Sequence, residues 1–305
     1  MAPSGLGDYN VCMDRGTSYD YIVTALVVVV ICLTWPSGAA QPADPDPISD
    51  VNREIQFHPA DEDLYLKRGE LYRLRHEWKN ALKDYDRANQ LDPGQEVVDF
   101  LKGQLYFDSG NFSVARKHLD VYLGKYPNHV NALITRARVE SKLGDHKTAV
   151  QDFTAAIQHD PEPKPEYYLE RADALLLLER SGEAIKSIDE GIERLGPVVT
   201  LQLRGIDLNI QRKEYDAALQ RLSAIAAQSP RKELWLTERG DILRQARRID
   251  EARQAYMAAM QALQSLPVYL RNTKATKALE NRIHAALDVI QAGGKNQPSE
   301  LKRKP

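Results

Sequence analysis

Six alanines set the limits on how this chain can fold. Ala81, Ala115, Ala149, Ala184, Ala218 and Ala252 recur at a nearly constant period of about 34 residues, and only the step from Ala149 to Ala184 is one position longer. A second set of small residues keeps nearly the same beat: Gly69, Gly103, Ala137, Ala172, Gly205 and Gly240. A fixed period in this range is the signature of a stacked repeat array. In such an array similar supersecondary units stack, each burying its apolar face on the next.

The content of one unit follows from the stretch Glu62 to Gln95. Leu64, Tyr65, Gly69, Tyr72 and Leu74 fall on one helical stripe, and Trp78, Ala81, Leu82, Tyr85 and Ala88 on another, with a break at Arg75-His76-Glu77. Apolar spacing of three and four predicts a helix in each half. Asp92-Pro93 ends the second helix, because the residue before proline is pushed out of the α region. Gly69 and Ala81 are expected where the two helices approach most closely, with Tyr72, Trp78 and Tyr85 filling the flanks. Pro127, Pro161, Gly196-Pro197 and Pro230 close later units in the same way. Two units depart from the pattern. The fifth has one extra residue between Gly205 and Ala218, and the sixth lacks a proline at Gln264, so its second helix should run longer to Pro267.

This repeating order of small residue, tyrosine, alanine, aromatic, alanine and proline resembles the tetratricopeptide repeat (TPR) family. The resemblance covers roughly residues 62–267. It implies an all-α protein, an α-solenoid of about six helix-turn-helix repeats with capping helices at both ends. By the same resemblance the first helix of each unit lines a concave surface that binds other proteins. The inward positions are then Leu66, Glu70, Arg73, Phe100, Gln104, Phe107, Ile134, Arg138, Leu169, Asp173, Leu177, Ile206, Asn209, Ile210, Asp241 and Arg244. Its middle is apolar, so the expected groove is Phe100, Phe107, Ile134, Arg138, Leu169, Asp173, Leu177, Ile206 and Ile210, taking a peptide or an amphipathic helix of a partner protein. Some family members grip a C-terminal carboxylate with lysine and asparagine; the corresponding positions of unit one are Leu66 and Glu70, which make no such clamp.

Arg68, Arg136, Arg171, Arg204 and Arg239 precede the small residue, with Lys102 in the same slot of unit two. Asp84 and Asp152 follow Arg68 and Arg136 at one constant interval, the separation of facing positions in a helical hairpin, so structural ion pairs are expected there. The alternative is a ladder of free cations for an acidic ligand.

The flanks read differently. Tyr21 to Trp35 is an unbroken apolar run, followed by Ser37, Gly38, Ala39 and Ala40 and then by a proline-rich stretch. As a helix the run spans about 22 Å, short of the roughly 30 Å hydrocarbon core. Residues 1–40 are expected to be a signal peptide cleaved near Ala40, or else a membrane anchor; Asp8, Asp14 and Asp20 against a single Arg15 depart from a basic signal start. The further division is a Pro-rich linker over 41–47, a capping half repeat over 48–61 with Ser49 as N-cap, six repeats over 62–267, a capping helix over 268–292 ended by Gly293-Gly294, and a disordered polar tail over 293–305.

The chain holds 41 basic and 43 acidic residues. Residues 1–40 contain one and three of these, so forty of each remain. That balance argues against nucleic acid as a partner, which calls for a basic surplus on one face. Cys12 and Cys32 are the only cysteines, so the repeats hold no disulfide, thiol nucleophile or zinc-thiolate cluster. The seven histidines are dispersed, and no phosphate loop, nucleophile elbow or H-E-x-x-H pair occurs. Asn111-Phe112-Ser113 is a glycosylation sequon. The expectation is a non-catalytic extracytoplasmic adaptor without metal or cofactor, touching a membrane only through residues 21–35 if these stay uncleaved. A membrane-anchored assembly or lipid-handling factor of the envelope is the rival reading, and an enzyme with an unrecognised site is the third.

Overall fold

The computed structural model describes residues 46–295, with side chains to 292. The expected signal or anchor, most of the proline-rich linker and most of the C-terminal tail lie outside the described residues. Among the described residues all regular structure is helical. A first helix α1 (Pro47–Phe57) packs on α2. Six hairpins follow: α2 (Glu62–Leu74) with α3 (Trp78–Leu91), α4 (Val97–Asp108) with α5 (Phe112–Lys125), α6 (Val130–Leu143) with α7 (His146–His159), α8 (Pro165–Leu177) with α9 (Ser181–Leu195), α10 (Val199–Gln211) with α11 (Tyr215–Gln228), and α12 (Lys232–Gln245) with α13 (Ile249–Gln264). A short α14 (Val268–Arg271) precedes α15 (Lys274–Lys295), which packs on α13. Each helix touches mainly its neighbours in sequence, which is the definition of a solenoid. As expected from its missing proline, α13 has 16 residues where most second helices have 14.

The alanine beat has a structural partner in the turns. One residue of each hairpin turn takes a left-handed backbone: His76, Gly110, Gly144, Glu179, Lys213 and Arg247. After each of them the next amide donates back across the helix end, from Glu77 to Tyr72, Asn111 to Tyr106, Asp145 to Glu140, Arg180 to Leu175, Glu214 to Asn209 and Arg248 to Leu243, at 2.7–2.9 Å. This six-to-one bond is the Schellman motif, which satisfies carbonyls that the helix end would otherwise orphan. It turns the chain back so that the two helices lie antiparallel.

The hairpins nest at the small residues, each of which leaves room for a large residue of the second helix. A Cβ added at Gly69 would lie 2.5 Å from Tyr85, at Gly103 2.7 Å from Leu119, and at Gly240 2.5 Å from Tyr256. Where the partner is Phe153 or Ile188, alanine is accommodated at 137 and 172, and both alanines are fully buried. The six alanines of the period are also fully buried.

The framework ion pairs form. Arg68 donates through Nε and Nη2 to Asp84 at 2.7 and 2.6 Å, and Arg136 to Asp152 at 2.7 and 2.8 Å. Each arginine also reaches back one helix, Arg68 to Asn52 at 2.7 Å and Arg136 to Asp120 at 2.9 Å. Lys102 pairs with Asp86 at 2.7 Å. Arg171 donates to the Ser187 hydroxyl at 2.9 Å and to Glu190. These cations therefore latch consecutive helices rather than standing free.

Three expectations need correction. The first helix is capped by Asp46, whose carboxylate accepts from the Ile48 amide, not by Ser49. Helix α15 continues through Gly293-Gly294 to Lys295, because both glycines keep helical backbone. The extra residue of unit five is no insertion: the left-handed residue Lys213 keeps the common beat, so the slot held elsewhere by a small residue falls on Ile206. Gly205 then stands where units one and three carry Arg68 and Arg136. The guanidinium of Arg221, from the second helix, fills the space over Gly205 and binds Asn209 (2.8 Å) and Asp189. Arg204 turns instead to Asp173 at 2.5 Å.

Candidate functional site

The inward stripe is built from the first helices. Their successive positions bring α4, α6 and α8 side by side, and a hollow of ≈ 320 Å³ opens across them. Phe107, Arg138, Asp173 and Leu177 of the expected groove line it together. Phe107 is half-buried and packs near Phe112, with ring centroids 5.9 Å apart. Leu177 is 65% exposed, an unusual state for a leucine beside an apolar cavity. Asp173 stands at the rim, held by Arg204.

The other five residues of the expected groove do not line this hollow. Phe100 is buried by Tyr122 and His129, with ring centroids 5.3 and 5.1 Å away, because the first turn of α4 is covered by the end of α5 and the start of α6. Ile134 is buried in the central core. Ile206 is buried in the rear core, since the register of α10 puts it in the small-residue slot against α11. Leu169 and Ile210 are half-buried and pack on the central and rear cores. In the observed register the inward positions of α10 are Leu203, Asp207 and Ile210, of which Leu203 is 41% exposed.

Sequence reasoning missed Glu170, Ser141, Lys142, Phe153 and Ala174, which complete the lining. Glu170 matters most. It accepts two bonds from Arg138, at 2.7 Å from Nε and 2.8 Å from Nη2, and so ties α8 to α6 across the hollow. Burial works against the charge on Arg138, but the two bonds to Glu170 outweigh it and its pKa is raised. The pair fixes the Arg138 guanidinium in the wall of the hollow. Arg73 likewise ties α2 to α4, bonded to Glu70 and Asp108. Glu170 directly follows the stripe residue Leu169, a position that the inward spacing alone does not select.

The site thus offers apolar surface from Phe107 and Leu177 over a floor of buried Phe153 and Ala174, a fixed guanidinium–carboxylate pair, one exposed amine on Lys142, and an acid at the edge. It contains no pairing of nucleophile and base, and among the described residues no group of three histidines, cysteines or acids is placed to hold a metal.

This architecture agrees with what the sequence matches. A profile described as Tetratricopeptide repeat matches residues 100–161 and 134–198, and one described as Tetratricopeptide repeat-like domain matches residues 186–278. The chain therefore carries tetratricopeptide repeats. No curated protein matches it. Among solved structures it is similar to the C-terminal part of a TPR repeat-containing protein from Cytophaga hutchinsonii, 14% identical, covering 76% of this chain and 92% of that one at a TM-score of 0.58. It is similar to PilW, described as a widely conserved type IV pilus biogenesis factor, 18% identical over 62% of this chain and 89% of that one at a TM-score of 0.50. Pseudomonas aeruginosa pilF is 14% identical over 76% and 97% at 0.48. At these identities the likeness is one of fold.

Proposed function

We propose that this chain is a non-catalytic adaptor that holds a peptide or an amphipathic helix of a partner protein against α4, α6 and α8, and that it works outside the cytoplasm. The single observation behind the binding mode is the hollow across three consecutive first helices, where exposed Leu177 and half-buried Phe107 flank the Arg138–Glu170 pair. Apolar anchors seat in such a hollow while the fixed pair orients polar groups of the guest. The extracytoplasmic placement rests on the Tyr21–Trp35 run and the small residues after it. Among the described residues no helix is long and apolar enough to cross a membrane.

The test is partner capture from envelope extract by the purified chain and by the double variant Phe107→Ala/Leu177→Ser, with a photo-crosslinker at Ser141 to map contact. Loss of capture at unchanged helicity, with crosslinks into one partner segment, supports the reading. Equal capture by both forms refutes it. N-terminal sequencing decides placement: a product starting near Gln41 supports export and cleavage, whereas an intact start in the membrane fraction supports an anchor.

A further inference from the structure

A second hollow, of ≈ 280 Å³, lies where α11 hands over to α12, and it shares no lining residue with the hollow over α4, α6 and α8. It is lined by Leu222, Ser223, Ala226 and Ala227 of α11 and by Lys232, Trp235, Leu236 and Arg239 of α12. The repeat itself shows what is missing there. Two helical turns after the alanine of the period, units two, three and four carry Leu123, Ile157 and Ile192; unit five carries Ala226. Unit one carries exposed Asn89 there, but Leu123 and Ile157 are buried, so the exchange to alanine removes the side chain that closes the junctions after units two and three.

The charge pattern is interrupted at the same place. At a constant offset past the alanine, Asp86, Asp120 and Asp189 receive Lys102, Arg136 and Arg221. Units three and five carry Thr154 and Ser223 at that offset instead, but after Thr154 the cation Arg171 is held by Ser187 and Glu190, and Arg239 after Ser223 has no such partner among the described residues. The position that faces Arg239, held by Asp84 opposite Arg68 and by Asp152 opposite Arg136, is Ala255. Among the described residues no carboxylate lies within ion-pair distance of Arg239. Glu251 is near enough to have its pKa lowered in part by Arg239, yet Arg248 holds it at 2.7 and 2.6 Å. Trp235 lines the same hollow, and its indole Nε1 is buried with no acceptor among the described residues. Lys232 and Arg239 thus stand beside an apolar space with no acid in its lining.

We propose that this junction is a second binding site, which takes a segment of a partner protein bearing an aliphatic side chain and a carboxylate close together in sequence. The guest supplies what α5 supplies to α6 internally, where Asp120 meets Arg136 and Leu123, one turn on, fills the junction. The aliphatic group occupies the space over Ala226 and Ala227, and the carboxylate lies on Arg239 with Lys232 beside it. The half-buried guanidinium of Arg239 meets a counter-charge only when the guest carries an acid, and a charge-assisted bond is the stronger one, so the site favours acidic segments over neutral and basic ones.

The experiment uses the full chain and a set of fluorescein-labelled, terminally blocked dodecapeptides with Asp or Glu one to four positions from Leu or Ile, each paired with its Asn or Gln isostere. Anisotropy titration is expected to give saturable binding to acidic members, weakened by about tenfold or more in the isosteres. Arg239→Gln should cause a similar loss. Ala226→Ile and Ser223→Asp restore the missing groups from within, so both should abolish binding without lowering the melting temperature, which separates site closure from unfolding. Acidic and neutral peptides binding equally, or Ala226→Ile leaving affinity unchanged, overturns the proposal. Laurate displacing nothing supports the peptide assignment. Laurate binding at Arg239 while no acidic peptide does overturns it in favour of a lipid carboxylate.

Discussion

Replacing Gly240 by alanine puts the nesting of the hairpins to a quantitative test. In a helix interior the exchange should by itself stabilise, by about 0.8–1 kcal/mol. Here the new Cβ would lie 2.5, 2.7 and 2.8 Å from Cε1, Cδ1 and Cζ of Tyr256, well inside van der Waals contact. The ring has nowhere to go. Tyr256 is fully buried, and its hydroxyl donates to Asp241 at 2.6 Å. Overpacking of this kind costs roughly 1–3 kcal/mol. Since the ring is pinned at both ends, the upper half of that range applies, and a net loss of about 1–2 kcal/mol remains after propensity is subtracted. Urea unfolding should show it both by circular dichroism and by the fluorescence of Trp235, which lies on the same helix. The control is the double variant Gly240→Ala/Tyr256→Phe, which frees the ring and recreates the Ala137–Phe153 pairing of unit three. It should be more stable than the sum of its single changes predicts. A Gly240→Ala protein as stable as the parent, or more so, would mean that propensity rather than close approach governs the slot, and the account of the small-residue beat would fail.

Three further outcomes follow from local features. Lys213 and Arg247 sit in the left-handed region that costs an L-residue roughly 1–2 kcal/mol; Lys213→Gly and Arg247→Gly should each raise stability by about 0.5–1 kcal/mol, while Gly144→Ala lowers it by a similar amount, all read from thermal melts. Glu140 is buried, and that burial raises its pKa above the usual glutamate value. Its folded form holds the proton more tightly than the unfolded chain, so it favours folding at low pH and progressively less as pH rises through its folded pKa. Glu140→Gln should therefore stabilise at pH 7 and lose that advantage near pH 4, measured as melting temperature against pH. His129 has the opposite sign: burial lowers its pKa, and its neutral Nδ1 accepts from the Ala132 amide as the cap of α6. Its contribution is complete above the ordinary histidine value of about 6.5 and is lost as pH falls toward the folded one, so His129→Asn should flatten the acid limb of the stability profile.

The architecture was readable because its determinants repeat. Alanine, glycine and tyrosine at fixed offsets report a contact, and six copies of a contact stand out from noise. Even the pairing of Arg68 with Asp84 and of Arg136 with Asp152 could be placed from a shared separation along the chain. The turns were not readable in the same way: His76, Glu179, Lys213 and Arg247 share a backbone conformation that none of their side chains announces. Ile206 shows how a local cue misled. Gly205 imitates the small residue of its neighbours, whereas the alanines and the left-handed turn residues, which obey the true period, put Ile206 in the slot. The groove was half legible for a related reason. Periodicity identifies the face on which Phe100, Phe107 and Ile134 lie, but not how far the next hairpin covers it. Phe107, Arg138, Asp173 and Leu177 stay accessible, while Phe100 is covered by Tyr122 and His129 of the next elements and Ile134 is closed into the central core.

The latching scheme also bears on how the length of this protein can change. Arg136 reaches back to Asp120, and Lys102 reaches back by the same interval to Asp86. Excising one repeat-length block between them would deliver Arg136 to Asp86, a carboxylate already shaped to receive a cation. Front modules are in this sense exchangeable parts, and shortened or lengthened versions should assemble without redesign. Near Arg221 the donor has moved to the other helix of its pair, so a block cut there would leave mismatched ends, and variation in copy number should be confined to the N-terminal half.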